Sequence, residues 1–153
     1  MIDTPKIVTS KAQPAAIVHV TVPRSEIQTV MGPGLREVHA AVAAQGRKPA
    51  GPWFTHHLKM DPKVFDFEIC VPVDSPVTGQ GRVTAGGLSE RKVVRTVYTG
   101  GYEGLGTAWG ELQDWIKAQG LQPAPDLWEV YLAGPETGKA PSLYRTELNQ
   151  PLK

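Results

Sequence analysis

Two strand-like stretches of this chain each carry an acid among residues that suit a half-buried strand. FEICVPV, residues 67–73, holds Glu68, and YRTELNQPL, residues 144–152, holds Glu147; each Glu stands four positions before a proline, Pro72 or Pro151. A carboxylate in a low-dielectric setting favours a cation that neutralises it. Beside a phenol it can also orient or deprotonate a water while the phenol stabilises developing charge. Strand alternation puts Arg145, Glu147 and Asn149 on one face and Tyr144, Thr146 and Leu148 on the other. On that pattern alone Glu147 reads as the solvated side of an amphipathic edge. Glu68 shares its face with Asp66 and Cys70, opposite Phe65, Phe67 and Ile69, and reads the same way.

The sequence contains four tryptophans and four tyrosines. Tyr98, Tyr102 and Tyr131 carry hydroxyls that need partners when buried, which makes them better pocket walls than Phe. Trp53 and Trp128 each open a strand and could wall a groove, whereas Trp109 lies on the apolar stripe of a helix and reads as packing. Aromatic faces over a cation add ~0.5–2 kcal/mol each. His56 and His57 are adjacent on a strand and point to opposite faces, while His19 and His39 lie in other elements. With one cysteine, Cys70, itself flanked by Ile69 and Val71 as in a strand core, neither a disulfide nor a zinc site is expected. Gly86-Gly87 and Gly100-Gly101 lack the context of a phosphate-binding loop. No metal and no cofactor are expected.

The elements that position these residues follow from patterning. The chain has 153 residues, a hydrophobic share of 41%, a charged share of 20%, 16 Gly and 14 Pro, which suits one folded domain with many turns. Its net charge is +1 and no basic stripe is concentrated, so direct nucleic-acid binding is not expected. No apolar run approaches ~18 residues, so neither membrane insertion nor secretion is signalled and a cytoplasmic location is expected. Ala15 to Val22 reads as a strand ending at Pro23. Ser25 to Gln28 is a capping-box signal opening a helical region that Gly46 stops, and Gly32-Pro33-Gly34 should kink or divide it. Strands follow at Trp53 to Lys59 and Val64 to Val73. The second half reads as a strand at Lys92 to Tyr98, a helix from about Tyr102 to Gln119, then strands at LWEVYL and LYRTELNQPL.

Both halves are thus β, α, β, β, and the anchors repeat: Gly46 to Gly120 is 74, Trp53 to Trp128 is 75, and Glu68 to Glu147 and Pro72 to Pro151 are 79. This spacing predicts an α+β fold made by tandem duplication of a βαββ unit, with repeat 1 at about 15–73, a linker at 74–90 and repeat 2 at about 91–152. The expected architecture is a curved antiparallel sheet with two main helices packed on it and a central ligand cleft on the pseudo-twofold axis.

VPRSEI, GPWF, ICVPV, YTGGYEGLGTAW, LWEVYL and YRTELNQPL together resemble the GyrI-like small-molecule-binding domain, also called the AraC-type effector-binding domain and related to the SOUL fold, over nearly the whole chain. The resemblance implies a cleft for amphipathic, cationic or aromatic compounds and kinship with multidrug-responsive transcription regulators. It implies a stand-alone sensor here, because no DNA-reading helix-turn-helix fits ahead of the first strand. Carried over, the family's pocket acid falls on Glu147 in TEL and its aromatics include Tyr102 and Tyr131, which turns Glu147 from a solvated edge into a cleft residue. The expected ligand site is therefore Glu147, Tyr102, Tyr131, Tyr98, Trp53 and Trp128, with Glu68 as the repeat's copy. Binding is favoured over catalysis. The resemblance also implies a hydrolase alternative acting on cyclopropane-containing natural products with Glu147 and Tyr102 or Tyr131, and a protein-interaction alternative such as a gyrase modulator.

Overall fold

The computed structural model describes residues 2–153; Met1 of the N-terminal stretch lies outside them. The described residues divide into two compact units, one of residues 11–90 and the other of residues 91–153 with those up to residue 10. Each holds one βαββ repeat, and every strand pair is antiparallel. The fold is α+β.

In the unit of residues 11–90, β2 (Gln13–Pro23), α1 (Ile27–Ala44), β3 (Phe54–Met60) and β4 (Val64–Pro72) follow in order, with β5 (Thr84–Leu88) closing the sheet. The strand order is β3-β4-β2-β5. In the other unit β6 (Arg91–Thr99), α2 (Leu105–Ala118), β7 (Leu127–Ala133) and β8 (Arg145–Pro151) are joined by β1 (Lys6–Ser10), in the order β1-β6-β8-β7. Each repeat therefore gains a fourth strand that the sequence reading left out. β5 lies inside the stretch 74–90 read as linker, and pairs with β2 from Gln13 opposite Leu88 to Ile17 opposite Thr84. The N-terminal β1 pairs with β6. Their short length, five residues each, and the two glycines of TAGGL weaken the pattern by which a strand is read.

Each sheet buries one face under its helix. Val18, Val20, Phe67, Ile69 and Val71 pack against Val38, Ala41 and Val42 of α1. Val94, Tyr98 and Leu148 pack against Ala108, Leu112 and Ile116 of α2. Both helices end on a left-handed glycine, Gly46 at φ 69° and Gly120 at φ 71°, a conformation that costs an L side chain but not glycine.

Two local expectations need correction. Gly32-Pro33-Gly34 does not divide α1, which runs unbroken over 18 residues. Pro33 faces solvent, and Gly34 is buried where a Cβ would collide with Cδ1 of Ile69. The glycine lets the helix backbone close on the sheet, and that packing outweighs the lost helical hydrogen bond. The Ser25 capping box is also not made. Residues 24–26 form a 3-10 turn instead, and no side chain caps it or α1.

His57 of β3 sits on the α1 side, stacked 5.2 Å from the Phe67 ring and edge-on to Phe65, with its Nε2 3.3 Å from Thr55 Oγ1. Burial above all, then the charges of His56 and Arg24, lowers its pKa to about 4. The unfolded chain takes up a proton below about pH 6.5 and the folded ring only near 4, so stability is full above 6.5 and falls as pH drops through that window. The expected loss is about 3 kcal/mol by pH 4. Urea midpoints across pH 4–7 should slope in the wild type and flatten in His57→Gln; equal slopes would assign the effect to other groups.

Candidate functional site

Cross-strand register decides which side chains share a face. In the unit holding residues 91–153, Thr96, Leu148 and Glu129 form one row, and Tyr98, Thr146 and Tyr131 the next. These rows face α2, because Leu148 and Tyr98 lie in the core with it. Arg95, Asn149 and Trp128, then Val97, Glu147 and Val130, form rows on the opposite face.

The buried acid is therefore Glu129, which the sequence reading passed over. It is 8% exposed at the centre of LWEVYL, and both carboxyl oxygens accept from neutral donors. Trp109 Nε1 of α2 donates to Oε2 at 2.6 Å, and Tyr131 Oη donates to Oε1 at 2.8 Å. Burial raises the carboxyl's pKa, opposed by these two hydrogen bonds. Two tyrosine rings stand near it, Tyr131 and Tyr102, and a third, Tyr144, lies against Tyr102. Tyr102, in the 3-10 turn before α2, meets Tyr131 edge-on at 6.0 Å and Tyr144 at 5.3 Å. Burial, with the negative charges of Glu136 and Glu129 contributing, pushes the Tyr102 phenol up to about 12, so it stays protonated. Gly134 admits this packing, since a Cβ there would meet Tyr102 Oη at 2.5 Å and Glu136 Oε2 at 2.9 Å. Thr146 Oγ1, fully buried between Tyr98 and Tyr131, has no hydrogen-bond partner among the described residues. Tyr102, Tyr131 and Trp109 thus flank a buried carboxyl.

The expected site residues fall into separate places. Tyr102 and Tyr131 join Glu129. Tyr98 shares their face but is core, its hydroxyl donating to the Gly101 carbonyl at 2.8 Å. Glu147 lies on the other face, half-buried, 3.3 Å from Arg95 Nε and accepting from Asn149 Nδ2 at 3.0 Å. Its charge is matched, so the premise of an unpaired acid does not hold there. Trp128 is fully buried on that same opposite face. Trp53 and Glu68 belong to the other unit, Trp53 against the α1 core and Glu68 3.5 Å from His56 Nδ1. Register also adjusts one repeat pairing. Phe54 faces Cys70 as Trp128 faces Asn149, so Phe54 rather than Trp53 is the counterpart of Trp128. Glu68 and Glu147 remain true counterparts, facing His56 and Val130.

The sequence did hold a signal for Glu129. An acid alone in an otherwise apolar strand has no polar edge to belong to. Trp109, read as packing, also had an indole N–H that needs an acceptor when buried. Among the described residues no group of three or more His, Cys, Asp or Glu is placed to hold a metal ion. A groove of about 410 Å³ at the C-terminal end of α2, lined by Gln113, Asp114, Lys117 and residues 120–123 among others, has no aromatic wall.

The chain belongs to the GyrI-like small molecule binding domain family, whose model matches residues 3–153. Its fold is similar to that of EcmrR. The EcmrR C-terminal domain has a TM-score of 0.86 at 19% identity, over 98% of this chain and 97% of that one. EcmrR in its complex with DNA has a TM-score of 0.85 at 20% identity over 99% of this chain, which spans 57% of the EcmrR chain. SAV2435 bound to tetraphenylphosphonium follows with 0.68 at 15% identity, covering 99% and 94% of the two chains. A hydrolase from Listeria innocua gives 0.70 at 12%, covering 97% and 91%. No curated protein sequence matches this chain. Among the described residues no helix is long and apolar enough to cross a membrane.

If Trp109 and Glu129 form one hydrogen-bonded unit, their substitutions couple. Trp109→Phe and Glu129→Leu in a double-mutant cycle should show a coupling of about 1.5–3 kcal/mol in denaturant unfolding at pH 8, the range for a hydrogen bond to a charged group. Additive effects would mean that the indole does not hold the acid.

Proposed function

We propose that Glu129 and the aromatic rings about it form a recess in which this protein binds amphipathic organic cations, as a small-molecule sensor of the kind found in transcription-regulator effector domains. One observation carries the reading: a buried carboxyl held by neutral donors, with the Tyr131 and Tyr102 rings beside it. An ionised acid in such a place lacks a counter-charge. A delocalised or quaternary cation supplies that charge without needing to displace the indole and phenol donors, and the ring faces attract it further. Apolar substituents on the cation cover the remaining aromatic surface. The tetraphenylphosphonium held by SAV2435 is a cation of this class, and the DNA complex of EcmrR supports a role in regulation. We place the protein in the cytoplasm on the same grounds. Glu147 and Glu68 are held by Arg95 and His56, which leaves them a structural part in their sheets.

A second reading is favoured by the bond between Tyr131 and Glu129. A carboxyl of raised pKa next to a phenol can relay a proton to or from a reacting group, which fits hydrolysis of a strained natural product. Product exceeding one equivalent per protein, followed by mass spectrometry, would establish turnover; product capped at one equivalent leaves binding alone.

Titration calorimetry with tetraphenylphosphonium and with neutral triphenylphosphine oxide tests the binding reading. Glu129→Gln should weaken the cation relative to the neutral compound by about tenfold or more, a difference of about 1.4 kcal/mol. Glu147→Gln should leave the ratio as in the wild type. The reverse pattern would move the site to the other face of the sheet.

A further inference from the structure

The groups shown against the Glu129 carboxyl within its unit are neutral. From β7 it faces Tyr131, from α2 Trp109, and from β8 Leu148 with Thr146 in the next row. From the turn before α2 comes Tyr102, and Tyr144 lies tilted against it. Glu136, on the loop after β7, accepts from the Gly134 N–H at 3.1 Å, beside the Tyr102 hydroxyl. No Lys, Arg or His pairs with Glu129 among the described residues. Among the described residues no cation therefore offsets a negative charge on Glu129, and the aromatic rings beside it offer little solvation.

We propose that the recess exchanges a proton for a cation: a permanent cation settles against Glu129 as the acid gives its proton to solvent, whereas a neutral ligand enters with the proton retained. This deepens the binding reading above and rests on it. The step balances simply. The carboxyl O–H bond breaks, its electron pair stays on Glu129, the proton leaves to buffer, and the ligand's positive charge takes its place. Trp109 and Tyr131 accommodate both states, because an indole N–H and a phenol O–H can donate to a carboxyl oxygen in either form. The raised pKa that burial imposes on Glu129 acts in the same direction. Ligand choice then depends on pH. Cations gain affinity as pH rises toward the carboxyl's pKa and level off above it, while neutral aromatic compounds do not gain.

Calorimetry of the wild-type protein with tetraphenylphosphonium, from pH 5 to 8 in buffers of different ionisation enthalpy, reads the exchange directly. The expected result is proton release on cation binding, up to one per cation, that is largest at the acid end and declines as pH rises. Affinity should rise by up to about tenfold per pH unit where release is complete. Triphenylphosphine oxide should release none, and Glu129→Gln should abolish release with the cation. Cation binding with no proton release at any pH would overturn the exchange and leave the binding reading intact. Absence of cation binding at every pH would overturn both.

Discussion

A carboxyl group that is taken out of water must be paid for by its surroundings, and Glu129 organises its unit around that constraint. Its two oxygens fix the Trp109 indole and the Tyr131 hydroxyl, and so tie α2 to β7. Tyr102 then packs edge-on to Tyr131, and Gly134 is the residue small enough to let its hydroxyl in. Neutral donors reduce the cost of ionisation without removing it, which is why the group keeps a raised pKa. A cation in the recess would complete what the fold leaves half compensated.

The duplicated unit shows the same scaffold solving its polar problems otherwise. Where β7 has Glu129 and Tyr131, β3 has Thr55 and His57, facing Ile69 and Phe67 as their counterparts face Leu148 and Thr146. His57 escapes charge by staying neutral among Phe65 and Phe67, whereas Glu129 sits among hydrogen-bond donors. On the faces away from the helices both units pair acids with basic side chains: Asp66 with His19 and Glu68 with His56 in one, Glu147 with Arg95 in the other. Opposite charges on neighbouring strands stabilise a sheet modestly and set its register. The echo of Glu68 and Glu147 goes with cross-strand pairs in both units, while the acid that differs between the repeats is the one on which we propose binding.

Much of this fold was legible because period and punctuation agree. Runs such as AAIVHVTV and KVVRTVY have only one sensible reading, the stripe of Leu105, Leu112 and Ile116 marks α2, and Gly46 and Gly120 stop the helices. β1 and β5 were not legible, since five-residue edge strands with little apolar contrast leave almost no period to detect. Gly32-Pro33-Gly34 misled because local propensity speaks against a helix, and only the approach of Gly34 to Ile69 shows why one forms. The site proposed on Glu129 was half legible. Tyr102 and Tyr131 follow from the need of buried hydroxyls for partners, but Glu147 was preferred to Glu129 because a repeated acid draws attention. Its ion pair with Arg95 could not be read without the register of β6 on β8.

A crystal structure grown with tetraphenylphosphonium tests the central claim most directly. The account predicts the phosphonium beside the Glu129 carboxyl, with the Tyr102 or Tyr131 ring within about 6 Å of the charge, the range over which aromatic faces attract cations. Ligand density on the opposite face, against Glu147 and Trp128 with the Glu129 recess unchanged, would contradict it.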